Sequence, residues 1–431
     1  MPINKLNFPR ESLAHKEKFF VFWAMLSIFF ISVEYAVIRP ASISIFITAY
    51  SAKFLPYAWI GTAVLSIFVI FLYNRFLPRL GCLKTFFLIV LCTILSNTIA
   101  AFCVTDFLFF PFLIYIWKDI YVLLMFKQIW SLVHMTVSKE KAKYLYGIIC
   151  ATGGIGAILG GIIPGFFAIN IGSQRLFLFS LPFYLALAFC YIFTLKYASN
   201  QDAYKKQITQ QEKFSKGGLT LIKNSRFLLC IFLLVAFMQM AMALTEYQLN
   251  FFIEKTIPEM NLRTQYIGRL VSIMNAGSTF FQLIGTYFFI SFLGIKKIYF
   301  SIPFYLMTNA LILMFFPSFF IVSYAYVAIK AADYSIFNIT KEMLFIPLKV
   351  DEKFRAKAII DVVSYRSAKG LMSFFVLFFQ FFHLDSSIFL GIFSLSIFVS
   401  WIYVIKNLSR QPQFSFMQTS SLPILSKEEV S

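Results

Sequence analysis

Long apolar runs alternate along this chain with short clusters of charge, Pro and Asn. Reading apolar runs bounded by those breakers predicts twelve helical spans, over 19–48, 55–74, 85–104, 107–135, 144–168, 176–196, 227–251, 266–291, 297–316, 318–347, 357–382 and 387–406. A helix rises about 1.5 Å per residue, so a run of roughly 20 residues matches the hydrocarbon core of a bilayer. The expected fold class is an all-α polytopic membrane protein of about 12 transmembrane helices. The first run, Phe19 to Ile38, is too long for a signal-peptide core, carries Glu34 and has no small-residue cleavage site after it, so it is read as a retained span. Composition agrees: the 431 residues are 60% hydrophobic and 13% charged, with 57 Phe and 22 Tyr, more apolar surface than a water-soluble domain can bury.

The formal charge of +19 invites a nucleic-acid reading, which the placement of the basic residues removes. Of 38 Lys and Arg, the connections on one face hold Lys53, Arg175, Lys255 and Arg263, and a further group lies within spans. The remainder share the face of the two termini, which by the positive-inside rule puts both termini in the cytoplasm. No nucleic-acid partner is expected, and the charge is a record of topology. The cysteines Cys82, Cys92, Cys103, Cys150, Cys190 and Cys230 are scattered singly, and His15, His134 and His383 are far apart, so no metal site and no cofactor is expected.

The polar stretch 198–225, rich in Lys, Gln and Ser, falls after the sixth span and divides the chain. Asp119, Lys127, Lys141 and Lys143 recur as Asp333, Lys341, Arg355 and Lys357, each displaced by 214 residues, with Ala142 and Ala356 at the same offset. Leu80-Gly81 with Lys84 recurs as Leu293-Gly294 with Lys297, displaced by 213. The expected organisation is an N-terminal six-helix half over 1–197, a cytoplasmic linker over 198–225, a parallel C-terminal half over 226–410 and a tail over 411–431. Two parallel six-helix repeats describe a major facilitator-like architecture, in which substrate sits between the halves near the midplane. Such a carrier is expected to work as a monomer.

Within the spans lie the bases Arg39, Lys118, Lys127, Arg269, Lys330, Lys341, Arg366 and Lys369 and the acids Glu34, Asp119, Glu246, Asp333, Glu342 and Asp361. A charge at the bilayer centre costs about 2.5–3.5 kcal/mol on insertion scales, so these groups must face a cavity or one another. The basic excess favours an anionic substrate. Asp119 with Lys127, and Asp333 with Lys341, are eight residues apart, which puts each pair on broadly one helix face. Lys330 and Asp333 are three apart and are equally read as neutralising each other, while Lys118, adjacent to Asp119, is expected to point elsewhere. Glu34 and Arg39 occupy a first span interrupted by Pro40, and Arg366 and Lys369 form a like-charge pair suited to a phosphate or carboxylate. The candidate substrate-binding residues are therefore Arg39, Lys127, Lys341, Arg366 and Lys369, with Glu34, Asp119, Asp333 and Asp361 as gating or coupling groups. The glycine run from Gly153 to Gly165, with Gly156 and Gly160 four apart, is read as close helix packing.

The stretches Arg39-Pro40, Ser44 to Thr48, Ala52 and Leu55-Pro56-Tyr57 resemble the end of the first span and the following loop of the ATP/ADP carrier family of plastids and intracellular bacteria. Gln128 to Ser131, Ala142-Lys143 and Tyr146-Gly147 resemble that family's fourth and fifth spans. The resemblance implies nucleotide exchange, commonly ATP for ADP, in a basic cavity that grips the phosphates, with Arg39 as the basic residue before Pro. The chain departs from the family pattern at Ser42, Ile43, Lys53 and Gln128, where the family carries charges of other sign or kind. A related anionic or nucleotide-like metabolite stays open beside ATP and ADP.

The expected function is thus a secondary transporter in a bacterial cytoplasmic membrane, moving an anionic, nucleotide-like metabolite by alternating access. A proton-coupled symporter, with Glu34, Asp119 or Asp361 carrying the proton, is the rival within transport. A receptor or scaffold is the rival outside it, and requires fully paired charges and no cavity. A membrane enzyme needs a nucleophile with its base or metal-bearing carboxylates, and no such spacing occurs.

Overall fold

The computed structural model describes residues 15–104, 106–137, 139–198, 218–285, 294–345, 347–348, 356–357, 360, 364–384 and 386–414. The described residues form helices: α1 (His15–Tyr50), α2 (Leu55–Cys103), α3 (Phe110–Thr136), α4 (Lys139–Ile171) and α5 (Leu176–Tyr197), then, after a short helix at Gly218–Asn224, α6 (Arg226–Thr256) and α7 (Met260–Phe280). They continue with α8 (Ile295–Phe315), α9 (Phe319–Ala332), α10 (Tyr365–Phe381) and α11 (Ser387–Leu408). Two π-helical turns extend the series, Phe281–Gly285 after α7 and Asp333–Phe337 after α9, the latter running on into Asn338–Met343.

Eight described stretches are long and apolar enough to cross a membrane. One of them, Ala52–Cys103, has 52 residues, about 78 Å of helix against a hydrocarbon core of about 30 Å. It makes two crossings, because Gly81 breaks it with φ 79° and ψ 166°, a conformation that side chains with a Cβ rarely adopt. Gly294, its counterpart in the sequence repeat, takes φ 74° and ψ 156° at the start of α8. α3 carries Lys118, Asp119 and Lys127 and α7 carries Arg263 and Arg269, so these helices are less apolar than the eight. Helix starts follow local chemistry: the Ser225 and Ser318 side chains accept from the backbone of Leu228 and Ile321, and prolines stand in the first turns of α2 and α3. The expected interruption at Pro40 does not occur, since α1 runs through it without a break. Neighbouring helices hold α1 on its sides, where residues 31–34 and 36–47 are all buried.

One apolar core draws on residues 222–414 and takes in Phe46, Leu55, Trp59 and Tyr115 from the earlier helices. Two others lie wholly within residues 20–195. Large apolar side chains such as Phe68, Phe71, Phe320 and Phe381 point outward, as lipid-facing positions do.

The glycine run of α4 sits between α1 and α7. A Cβ on Gly156 would lie 2.5 Å from the Phe29 carbonyl oxygen, and one on Gly160 2.3 Å from that of Val33. On the other side, a Cβ on Gly161 would lie 2.5 Å from Ser272 Oγ, and one on Gly268 of α7 would lie 2.6 Å from the Gly165 backbone nitrogen. Both approaches involve backbone that cannot swing aside, so small residues set the helix spacing. Gly160→Val is expected to abolish recovery of folded protein from membranes, whereas Gly147→Val, with nothing within 4 Å of its would-be Cβ, is expected to leave recovery near wild type. Fluorescence-detected size-exclusion profiles of the two variants check this.

Candidate functional site

The middle of the bundle is polar because α1, α3, α6, α9 and α10 each turn a charged residue inward. Glu246 of α6 is 5% exposed and receives three cations. Arg39 Nη2 lies 3.4 Å from Oε1, Lys330 Nζ 3.3 Å from Oε2 and Lys369 Nζ 3.6 Å from Oε2. Arg39 also donates to the Tyr326 hydroxyl at 2.8 Å, and the Lys369 ammonium stands 4.5 Å above the Trp59 ring. A second group adjoins this one. Lys118 Nζ lies 3.0 Å from Asp119 Oδ1 and 3.9 Å from the centre of the Tyr115 ring, and Tyr115 accepts from Trp59 Nε1 at 2.9 Å. Tyr35 links the groups, donating its hydroxyl to Asp119 at 2.9 Å while its ring lies 6.0 Å from the Arg39 guanidinium.

Arg39, Lys118, Lys330 and Lys369 thus face Asp119 and Glu246, four described cations against two carboxylates. In a medium of low dielectric such an excess is costly until an anion enters, and the long intervals of 3.3–3.6 Å around Glu246 describe one carboxylate divided among three claimants.

Below this cluster, toward the face that carries His15 and Leu408, lies a cavity of about 440 Å³, lined among others by Trp130, Gln239, Asn275, Asp333, Tyr334 and Lys341. The opposite face is closed. There Glu254 Oε2 accepts from Ser51 Oγ at 3.0 Å and from the Ala52 backbone at 2.8 Å, and Arg263 donates to Thr48 Oγ1 at 3.2 Å. Asn261 Oδ1 accepts from the Ser173 backbone and hydroxyl at 2.9 and 2.7 Å, and Gln380 donates to the Lys53 carbonyl at 3.2 Å. Among the described residues, the cavity lies on the side that carries His15 and Leu408 and the polar closure on the other.

The sequence candidates distribute over three places. Arg39, Lys369 and Asp119 lie in the central cluster. Asp333 and Lys341 line the cavity, where Gln239 donates to Asp333 Oδ1 at 3.4 Å and Lys341 Nζ lies 3.7 Å from Glu342. Lys127 stands apart from both, donating to Asn74 Oδ1 at 2.8 Å over the Tyr73 ring. Glu34 is fully buried beside Tyr121 and Asn97, which donate to its Oε1 at 2.7 and 3.5 Å, in the packing of α1 on α2 and α3. Asp361 lies outside the described residues, as does the side chain of Arg366.

Two pairing expectations are corrected. Lys118 does not point away from its neighbour but folds back onto Asp119, its stem long enough to do so. Lys330 binds Glu246 of another helix rather than Asp333 one turn along its own. Glu246, the hub, is missing from the candidate list. A signal for it existed: Glu34-Tyr35 recurs as Glu246-Tyr247, displaced by 212 residues, close to the repeat's other offsets. Removing the hub leaves its three cations without their shared carboxylate, so Glu246→Gln is expected to destabilise the purified protein by about 3 kcal/mol or more. Thermal unfolding checks this, and added polyphosphate is expected to restore more stability to the variant than it adds to the wild type.

Residues 93–412 match the family model described as TLC ATP/ADP transporter. ADP,ATP carrier protein 1 of Rickettsia conorii is 30% identical over 87 residues, 19% of this chain and 18% of that carrier. The chloroplastic ADP,ATP carrier protein 2 of Arabidopsis thaliana is 37% identical over 86 residues, 19% of this chain and 14% of that protein. The matched stretches therefore span under a fifth of either relative's length. A crystal structure of the nucleoside transporter NupG superposes with a TM-score of 0.64 at 14% identity, covering 94% of this chain and 100% of that one, a likeness of fold. With the family model matching well over half of its length, the chain belongs to the TLC ATP/ADP transporter family.

Proposed function

We propose that this protein exchanges nucleotides of the ATP/ADP type, or a closely related phosphorylated anion, across a bacterial cytoplasmic membrane with both termini in the cytoplasm. The observation that carries this reading is Glu246, one buried carboxylate shared by Arg39, Lys330 and Lys369, in a cluster that has two more cations than carboxylates among the described residues. A polyphosphate offers several charged acceptor oxygens, and guanidinium and ammonium donors bind them with charge-assisted hydrogen bonds. Its arrival supplies the missing negative charge, and the three cations turn from Glu246 to phosphate.

Exchange follows from the same charges. Empty, the carrier holds uncompensated positive charge near the midplane, at about 2.5–3.5 kcal/mol per charge on insertion scales, while the bilayer-spanning helices must rearrange around it. Loaded, the charge is compensated and the rearrangement is easier. Such a carrier returns quickly only with an anion aboard. The movement we assign is rocking of residues 1–197 against 226–410, joined by the linker 198–225, with the contacts of Glu254 with Ser51, Asn261 with Ser173 and Gln380 with the Lys53 carbonyl opening as the cavity closes.

A proton-coupled symporter is less well supported: Asp119 is held by Lys118 and Tyr35, and Glu34 is walled off from the cavity. A scaffold has no use for either the basic excess or the cavity.

The test is uptake of labelled ATP by intact cells producing the protein, with and without ADP inside. Internal ADP is expected to accelerate uptake, and Arg39→Ala with Lys330→Ala is expected to reduce it at least about tenfold at normal surface expression. Uptake indifferent to internal nucleotide and abolished by dissipating the proton gradient would favour the symporter instead.

A further inference from the structure

The cavity below the cluster differs in character from the cluster itself. Its described ionic groups are Asp333 and Lys341, while Gln239, Asn275, Gln282 and Asn338 line it with uncharged amides. Rings line it too, those of Phe126, Trp130, Tyr334 and Phe337. Two π-helical turns meet here, Phe281–Gly285 bringing Gln282 to the wall and Asp333–Phe337 bringing Asp333, Tyr334 and Phe337. π-Helical turns are rare and concentrate at functional sites.

A nucleotide has two unlike ends, and the two regions divide in the same way. Phosphate is drawn to Arg39, Lys330 and Lys369, whereas the described charges of the cavity, Asp333 and Lys341, balance. From Lys330 to Asn338 is eight residues along one helical run, about 12 Å at 1.5 Å per residue, a separation suited to an extended nucleotide. An amide presents a donor beside an acceptor, the pattern found on the edges of nucleobases, and an aromatic ring offers a face for stacking. Trp130 is braced for that role by His134 and Tyr146, whose ring centres each lie 5.5 Å from its own.

We infer that, if the chain carries nucleotides as proposed above, this cavity seats the nucleobase: Gln239, Asn275, Gln282 and Asn338 read its edge, Trp130 stacks on its face, and the phosphates reach upward to the basic cluster. The amides are then specificity determinants, and the phosphate cluster is indifferent to the base.

The experiment separates the two ends with two probes, ATP and inorganic tripolyphosphate, whose binding to the detergent-purified full-length protein is measured by thermal shift and by competition with labelled ATP. GTP, CTP and UTP are run as further competitors. Trp130→Ala and the double variant Gln282→Ala, Asn338→Ala are expected to weaken ATP binding about tenfold or more and to flatten the ranking of the four nucleotides. Tripolyphosphate binding is expected to stay within about twofold of wild type, which also reports an intact fold, and Trp130→Phe is expected to restore most of the lost affinity. Variants that bind and rank the four nucleotides as wild type does, or that lose ATP and tripolyphosphate in parallel, overturn the base seat while leaving nucleotide transport standing. A wild-type protein that binds tripolyphosphate but no nucleotide, or neither probe, overturns the functional reading and the base seat with it.

Discussion

Three cations on three helices share the carboxylate of Glu246 at 3.3–3.6 Å, and the arrangement of the bundle's centre depends on that contact. Arg39 comes from α1, Lys330 from α9 and Lys369 from α10, so Glu246 ties α6 to helices distant in sequence through buried charge. A buried ion pair of this kind is poor evidence for stability alone, because desolvation consumes much of what attraction returns. It is good evidence for a site whose occupant completes it. The paired Lys118 and Asp119 sit alongside with their own charges balanced, which leaves the positive excess concentrated around Glu246.

The apolar frame makes that chemistry possible by deciding where water can reach. Glycines of α4 allow backbone-to-backbone contact with α1 and α7, and the polar contacts of Glu254, Asn261 and Gln380 join the halves on the face opposite His15 and Leu408. Among the described residues, the space adjoining the cluster is the cavity whose walls carry Asp333, Tyr334 and Lys341. One closed face and one open one is the geometry that alternating access requires at any instant.

How much of this the sequence could reveal varies with the range of the forces involved. Apolar runs and their breakers act locally, so the expected crossings fall on helices, and the Leu-Gly repeat marks two turns that both need positive φ, at Gly81 and Gly294. Charge pairing is not local. Lys330 has Asp333 one turn away and binds Glu246 on another helix, and Glu34 and Glu246, alike in their repeat positions, sit one among neutral donors and the other among three cations. Only packing distinguishes them. The helix through Pro40 is a similar case, since the neighbours that support α1 there come from elsewhere in the chain. Spacing along one helix placed Lys127 with Asp119, while the fold gives Lys127 to Asn74 and Asp119 to Lys118 and Tyr35.

The central claim is that Glu246 holds three cations in place of an anion that displaces it. An experimental structure of the protein with ATP bound tests it most directly. The account predicts phosphate oxygens within hydrogen-bonding distance of Arg39, Lys330 and Lys369, with at least two of these released from Glu246. Nucleotide bound elsewhere, with all three cations still gathered on that carboxylate, would contradict it.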